Sequence, residues 1–112
     1  MILLYHNKSC SKSRACLELI INSNSKYKVI NYLEDDMCPA ELEALVKGLI
    51  DPIEELVRTN EPNIKNKEDI INLLINNKSC MQRPIVGVNG IFEICRPVDK
   101  VLKYLDKKTE PK

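Results

Sequence analysis

The sequence predicts an α/β protein with a four-stranded mixed sheet, and three features of the chain predict it. A strand, a helix and a second strand follow one another within residues 2–32, a spacing typical of a βαβ unit. Residues 33–80 then carry only helical patterns. Near the end, Asn89 and Gly90 separate two short apolar runs and give a strong signal for a β-hairpin. The predicted order is therefore βαβ, a helical insertion, and ββα.

The length, charge and cysteine usage bound the class of protein. A chain of 112 residues suits one domain with a modest core. We expect that domain over residues 1–107, with the insertion at about 33–80 and a charged tail at 108–112. The formal net charge of +1 gives no strong attraction to nucleic acid or to a membrane surface. No apolar run approaches the roughly 18 residues of a membrane span.

The first residues are too short an apolar stretch for a signal peptide, so we expect a cytoplasmic protein with reduced thiols. Its cysteines are odd in number, and no two of them are spaced C-x-x-C. Neither a disulfide framework nor a metal site is therefore expected. The sequence assigns no role to four of them: Cys16, Cys38, Cys80 and Cys95.

The first βαβ unit follows from its apolar pattern. Residues 2–5 are predicted to be a buried strand, residues 11 to about 24 a helix, and residues 27–32 a second strand parallel to the first. The predicted helix carries its apolar side chains on one face: Cys16, Leu17, Ile20 and Ile21.

The insertion is predicted to hold three helices. Pro39 suits the first helical position, and Gly48 lies near the end of that helix. Asp51 is the expected N-cap of a short second helix, with Pro52 at its first position. The third helix is expected over residues 66–76.

The last third of the chain returns to strands. Residues 83–88 and 91–95 are predicted to pair across the Asn89-Gly90 turn, and a final helix follows Pro97, with Val98, Val101, Leu102 and Leu105 on one face. The whole order is a thioredoxin-like layout. Such a layout puts a reactive cysteine in the first strand-to-helix turn, and opposite it a cis proline at the start of the third strand. We therefore expect the peptide bond before Pro84 to be cis, although only about 5–6% of X–Pro bonds are cis in folded proteins.

Residues 5–14, Tyr-His-Asn-Lys-Ser-Cys-Ser-Lys-Ser-Arg, join the first strand to the first helix. Cys10 would start that helix, where unpaired backbone N–H groups and the helix dipole favour a thiolate. Ser13 is three residues further on, so its hydroxyl could turn back toward the sulfur. We expect a lowered thiol pKa at Cys10, and slower reactions at the other cysteines. The alternative is a small buried cysteine that happens to begin a helix.

Three arginines stand at the ends of predicted elements: Arg58, Arg83 and Arg96. Two of them precede prolines, which fix the backbone and can aim the side chain. Guanidinium groups bind oxyanions in a bidentate manner, so a thiolate among arginines indicates a tetrahedral oxyanion substrate. The alternative for each arginine alone is a solvated surface charge.

Two related chemistries do not fit the spacing. A phosphatase loop of the low-molecular-weight type needs an arginine six residues after the nucleophile, where this chain has Cys16. A dithiol redox motif needs a second cysteine where this chain has Ser13. A monothiol mechanism stays open.

The motifs together resemble the glutaredoxin-dependent arsenate reductase family of the thioredoxin fold. The family pattern Tyr-His-Asn-Pro-x-Cys-x-x-Ser-Arg is similar to residues 5–14, with Lys8 in place of the proline. Its Leu-Leu-Arg-x-Asn is similar to residues 56–60, its Arg-Pro-Ile-Val to residues 83–86, and its Cys-Arg-Pro to residues 95–97. The resemblance extends in order along nearly the whole chain.

The resemblance implies that Cys10 is the nucleophile, that the three arginines bind arsenate, and that glutathione and glutaredoxin supply the reducing thiols. It implies supporting roles for His6, Ser13, Arg14 and Pro84, and no bound metal or cofactor. Two other functions stay open at this stage. One is a polymerase-binding stress regulator of a related branch, which Ser13 disfavours because that branch has Cys-x-x-Cys. The other is a monothiol, glutathione-linked thiol reductase.

Overall fold

A four-stranded mixed sheet organises the computed structural model, which describes residues 1–35, 37–58 and 66–105. The strands are β1 (Ile2–Tyr5), β2 (Tyr27–Ile30), β3 (Ile85–Val88) and β4 (Ile91–Ile94), in the spatial order β2-β1-β3-β4. β1 is parallel to β2 and antiparallel to β3, and β3 is antiparallel to β4. The predicted α/β fold with a mixed sheet is confirmed.

The helices lie where the apolar patterns placed them, with shorter bounds. They are α1 (Ser11–Ile21), α2 (Pro39–Gly48) and α3 (Lys67–Asn76), and three 3₁₀ helices span Ile53–Leu56, Lys78–Cys80 and Val98–Tyr104. α2 begins at Pro39, as expected, and Asn66 caps α3 by accepting the Asp69 N–H at 2.9 Å. In the hairpin, Asn89 and Gly90 both have positive φ, 53° and 80°, as a tight primed turn requires.

Asp51 does not cap the short helix after α2, so that expectation is wrong. The N-cap of this 3₁₀ helix is Pro52. Asp51 instead accepts the backbone N–H of Ile94 at 2.8 Å, and the neighbouring Ile50 N–H donates to the Phe92 carbonyl at 2.9 Å. The loop after α2 thereby satisfies the open edge of β4, and a long-range hydrogen bond has replaced a local cap.

Apolar side chains alternate between the two faces of the sheet, which gives two core clusters. One face, which we call the insertion-side cluster, packs against α2 and α3 and includes Tyr5, Ile85 and Ile94. The other, the α1-side cluster, packs against α1 and the terminal 3₁₀ helix and includes Leu4 and Val86. The side-chain period of two along each strand produces this division.

The chain end departs from the expectation in one respect. The element after Pro97 is a 3₁₀ helix that buries Val101 but leaves Leu102 54% exposed. A 3₁₀ helix has three residues per turn, so consecutive residues cannot share the wider apolar face of an α-helix. The predicted tail at 108–112 lies outside the described residues. Within those residues, the structure contains no helix of the length and apolarity that crossing a membrane requires.

Candidate active site

Cys10 lies between the end of β1 and the start of α1, at the N-cap of the helix. Its backbone is extended, with φ −98° and ψ 121°, and its side chain is half-buried. Burial by itself would raise the pKa of the thiol. The backbone N–H groups of Ser13 and Lys12, the Arg83 side chain and the charge of Arg96 all favour the thiolate, so the pKa of Cys10 lies below its ordinary value.

Arg83 precedes β3 and Arg96 follows β4, and both act on the Cys10 sulfur from this end of the hairpin. Arg96 directs Nη2 at Cys10 Sγ over 3.7 Å and donates its Nε–H to the Arg83 carbonyl at 2.7 Å. Arg83 donates from Nη1 to the carbonyls of Ser79 and Met81, at 3.2 and 3.3 Å. The peptide bonds before Pro84 and Pro97 are both cis. The cis bond at Pro84 was predicted, and the one at Pro97 was not.

A buried network beneath the turn holds the loop in shape. The Ser13 hydroxyl lies 2.6 Å from His6 Nδ1, and its oxygen accepts the Asn7 backbone N–H at 3.0 Å. Burial and the nearby charge of Arg14 lower the pKa of His6, so the imidazole is neutral and Nδ1 can accept the Ser13 proton. Ser13 therefore turns its hydroxyl toward His6, and its backbone N–H faces the sulfur. The expected hydroxyl-to-sulfur contact is wrong.

Two cations lie at the rim of the loop and bind protein groups. Arg14 donates from Nη1 to the Lys8 carbonyl at 2.9 Å, which ties the first turn of α1 back to the loop. Lys8 pairs with Glu34 at 2.7 Å, and both side chains are largely exposed. An exposed pair of this kind is screened by water and stabilises little. Lys8, which stands where the family pattern has a proline, thus pairs with a carboxylate at the surface.

Arg58 is connected to this site through the backbone. Its N–H donates to the Cys80 carbonyl at 2.7 Å, next to an isolated antiparallel bridge between Val57 and Met81. This bridge leads directly to Arg83. The Arg58 side chain is exposed, and within the described part of the chain it forms no hydrogen bond to Cys10. Its role in substrate binding stays a prediction.

The remaining cysteines lie in different surroundings. Cys16 and Cys95 are both fully buried in the α1-side cluster, as expected. Cys38 is exposed and Cys80 is half-buried. All are free thiols. Over residues 1–35, 37–58 and 66–105, no group of three or more histidine, cysteine or acidic side chains could hold a metal ion.

The sequence did not single out two residues of the site, Asn7 and Tyr32. Asn7 accepts the Cys10 N–H on its carbonyl at 3.0 Å and the Ser9 N–H on its side chain at 2.9 Å. An asparagine in a turn is a recognisable signal for such bonds. Tyr32 is fully buried just after β2, and no sequence pattern indicates that it approaches Cys10, which the fold alone brings near.

This arrangement can bind a small anion at a nucleophilic sulfur. Two backbone N–H groups at a helix start and two guanidinium groups surround Cys10, and both kinds of donor favour oxyanions. The fold is that of a thioredoxin-like protein, with Cys10 in its first strand-to-helix turn. The chain belongs to the ArsC family, whose model matches residues 5–104.

Individual relatives agree with this family. The uncharacterized protein YfgD of Escherichia coli (strain K12) is 35% identical over 112 residues, which cover 91% of this chain and 94% of that protein. An arsenate reductase of Acidiphilium multivorum is 31% identical over 93% of this chain and 80% of its own length. An arsenate reductase structure from Vibrio cholerae superposes with a TM-score of 0.80 and 28% identity, over 91% of this chain and 95% of its own.

Proposed function

We propose that this protein reduces arsenate to arsenite, with the Cys10 thiolate as nucleophile and with glutathione and glutaredoxin as reductants. Relatives named arsenate reductase at 30–31% identity support arsenate as the substrate. One observation of the site carries the proposal. Arg96 Nη2 lies 3.7 Å from the Cys10 sulfur, and the N–H groups at the start of α1 and the Arg83 side chain also favour its thiolate.

In the first step the oxyanion binds where these donors converge. Arsenate carries nearly two negative charges at neutral pH, so guanidinium groups both attract it and reduce its repulsion by the thiolate. Arg83 and Arg96 are placed for this role, and we propose that Arg58 joins them from the adjoining bridge. The thiolate attacks arsenic and forms a sulfur–arsenic bond, while an arsenic–oxygen bond breaks and its hydroxyl takes up a proton from solvent and leaves as water.

In the second step the electrons move. A glutathione thiolate attacks the Cys10 sulfur of the adduct, the sulfur–arsenic bond breaks, and its electron pair stays on arsenic. Arsenic is thereby reduced from As(V) to As(III) and leaves as arsenite, while Cys10 and glutathione form a mixed disulfide. Glutaredoxin then takes up the glutathione through a thiolate of its own, and the Cys10 thiolate is restored. The two electrons given to arsenic equal those lost when two thiols become one disulfide.

The test is arsenite formation from arsenate with purified protein, glutathione and glutaredoxin. We expect activity in the parent and in Cys38→Ser, because Cys38 is exposed and lies at the N-cap of α2. We expect none above background in Cys10→Ser. Leaving out glutaredoxin should stop turnover after a single round. Mass spectrometry should then detect a disulfide between Cys10 and glutathione.

Two results would contradict the proposal. No arsenite from the parent with all components present would exclude arsenate as substrate. If the parent instead reduced a glutathione mixed disulfide rapidly while leaving arsenate unchanged, the protein would be a monothiol, glutathione-linked thiol reductase.

A further inference from the structure

Two buried polar atoms near Cys10 have no hydrogen-bond partner. Within the described residues, these are Tyr32 Oη and Arg83 Nε. Tyr32 is fully buried, and Arg83 is half-buried with its Nη1 occupied by the carbonyls of Ser79 and Met81. Buried hydroxyl and guanidinium N–H groups are nearly always paired, so two unpaired ones beside a reactive thiol need an explanation.

The two atoms lie in one neighbourhood. Burial raises the pKa of Tyr32, whereas the charge of Arg83 and polar contacts from the Asn7 and Arg83 side chains act in the opposite direction, and Cys10 adds to the rise. Neither side chain meets the geometry of a hydrogen bond to the hydroxyl. Tyr32 is therefore a neutral phenol within reach of the electrostatic field of Arg83 and Cys10. A phenol oxygen can accept a hydrogen bond, and a guanidinium Nε–H can only donate one, so the two unpaired groups are complementary.

Arg83 forms its side-chain hydrogen bonds with its own loop. Its guanidinium is drawn toward the carbonyls of its own loop, at distances of 3.2 and 3.3 Å that are long for N–H···O bonds. A divalent anion at Cys10 would compete strongly with these neutral carbonyls, because bonds between two charged groups are the stronger kind. Movement of the terminal nitrogens toward the anion would reorient Nε as well.

We propose that Tyr32 positions Arg83: its hydroxyl oxygen accepts the Arg83 Nε–H when an oxyanion draws the guanidinium away from Ser79 and Met81. Because the guanidinium is planar, fixing Nε also fixes the plane in which the terminal nitrogens meet the anion. Tyr32 is thus a positioning residue that acts through Arg83. This inference rests on the proposed function insofar as the anion is arsenate.

Tyr32→Phe removes the hydroxyl and keeps the ring. We measure how inorganic arsenate protects Cys10 from iodoacetamide, and the kcat and KM of arsenate reduction. Since the hydroxyl is unpaired without ligand, the thermal midpoint should not fall. In Tyr32→Phe, the protection of Cys10 by arsenate should weaken about tenfold or more. KM should rise by a larger factor than kcat falls, because the variant loses a bond to a charged group only in the arsenate-bound state.

Tyr104→Phe is the matched control. Its hydroxyl donates to Glu93 Oε1 at 2.5 Å on the α1 side of the sheet, so this variant should lower the thermal midpoint and leave arsenate protection unchanged. If Tyr32→Phe behaves in the same way, Tyr32 is a structural residue and the proposal is overturned.

A double-mutant cycle with Arg83→Lys shows whether Tyr32 acts through Arg83. Lysine keeps the charge and lacks Nε–H, so Tyr32→Phe should change arsenate protection less than about twofold in the Arg83→Lys background. If the losses of arsenate protection caused by Tyr32→Phe and by Arg83→Lys multiply in the double variant, Tyr32 contacts the anion independently and the proposal is wrong.

Phosphate and sulfate protection separate this proposal from the function. If an oxyanion protects the parent and Tyr32→Phe weakens that protection, the positioning role stands even where no arsenite forms. If arsenate is reduced and Tyr32→Phe is unchanged, the function stands and the positioning role fails. If none of the three anions protects the parent, both fail.

Discussion

The N-terminus and the middle of α1 hold cysteines in opposite surroundings. Cys10, at the N-cap, faces helix N–H groups and two guanidinium groups, and its pKa lies below the ordinary value. One and a half turns further on, Cys16 is fully buried in the α1-side cluster beside Cys95. A hydrogen bond with Cys16, together with burial, raises the pKa of Cys95 well above its ordinary value.

The comparison shows that position in the fold decides which thiol is reactive. All of these cysteines are free, and their side chains are chemically identical. Within the described part of the chain, only Cys10 combines partial exposure with several neighbouring donors that lower the pKa of its thiol. Cys16 and Cys95 are instead fully buried among apolar side chains, which keeps reagents away from their sulfur atoms.

The largest expected effect follows from removing the reactive thiol. Cys10→Ser should lower arsenate reduction on the order of 10³-fold or more, since the nucleophile makes the covalent bond of the first step. Its free energy of unfolding should change little because the side chain is only half-buried. Steady-state rates and urea denaturation check both parts. Appreciable residual turnover in Cys10→Ser would move the nucleophile to another cysteine.

Arginine substitutions come next. Arg83→Ala and Arg96→Ala should each cost about 2–5 kcal/mol in kcat/KM for arsenate, far more than an exposed charge is worth. Both should also raise the pKa of Cys10, because both side chains act on its sulfur. Arg→Lys should impair turnover as well, since the planar fork is lost.

Arg58 sharpens this prediction. Arg58→Ala should depress arsenate reduction strongly without moving the pKa of Cys10, because its side chain is not bonded to the sulfur in the described part of the chain. Thermal midpoints should stay near the parent for all three alanine variants. Activities equal to the parent in all three would show that these arginines do not form the arsenate site.

A substitution in the α1-side cluster should act on stability alone. Cys16→Ser puts a hydroxyl into an apolar site, and we expect it to lower the free energy of unfolding by about 1–3 kcal/mol. The rate per folded molecule should match the parent. Cys38→Ser, at an exposed position, should stay within about 0.5 kcal/mol. A change in the arsenate KM of Cys16→Ser would show that the buried middle of α1 is coupled to its N-terminus.

The smallest expected effect is a pH dependence on the same side of the sheet. Burial would raise the pKa of Glu93, but bonds from Lys103 and Tyr104 outweigh it, so the pKa lies below its ordinary value. The carboxylate therefore stabilises the fold above the unfolded pKa of about 4.3 and loses that contribution as the pH falls through the folded pKa.

Glu93→Gln should remove this contribution, which we expect to be about 1 kcal/mol because Lys103 is half-exposed. Urea denaturation of parent and variant between pH 3 and 7 measures the difference. The free energies of the two should converge at the acid end. A constant difference across the range would show that Glu93 is not ionised in the folded protein.

Much of the architecture could be predicted because its causes are local. The position of Cys10 follows from an apolar run, a polar turn and a helical period, and the hairpin follows from Asn89 and Gly90. Asp51 could not be predicted, because its partner Ile94 lies 43 residues away and competes with a local cap. Long-range hydrogen bonds of this kind carry no sequence period.

The interior of the site shows the same limit. The sequence placed Ser13 near the sulfur, yet the choice between the sulfur and His6 depends on where the buried imidazole lies after folding. Tyr32 follows a strand and has no motif, so its proximity to Cys10 comes from the parallel pairing of β1 with β2.

The most direct test of the central claim is the pH dependence of Cys10 alkylation, read by mass spectrometry for each cysteine in a Cys38→Ser background. We expect iodoacetamide to reach half of its maximal rate with Cys10 at a pH below the ordinary thiol pKa of about 8.5. Cys16 and Cys95 should stay unreactive until the protein unfolds. Half-maximal reactivity at or above that value, or comparable rates at Cys16, would contradict it.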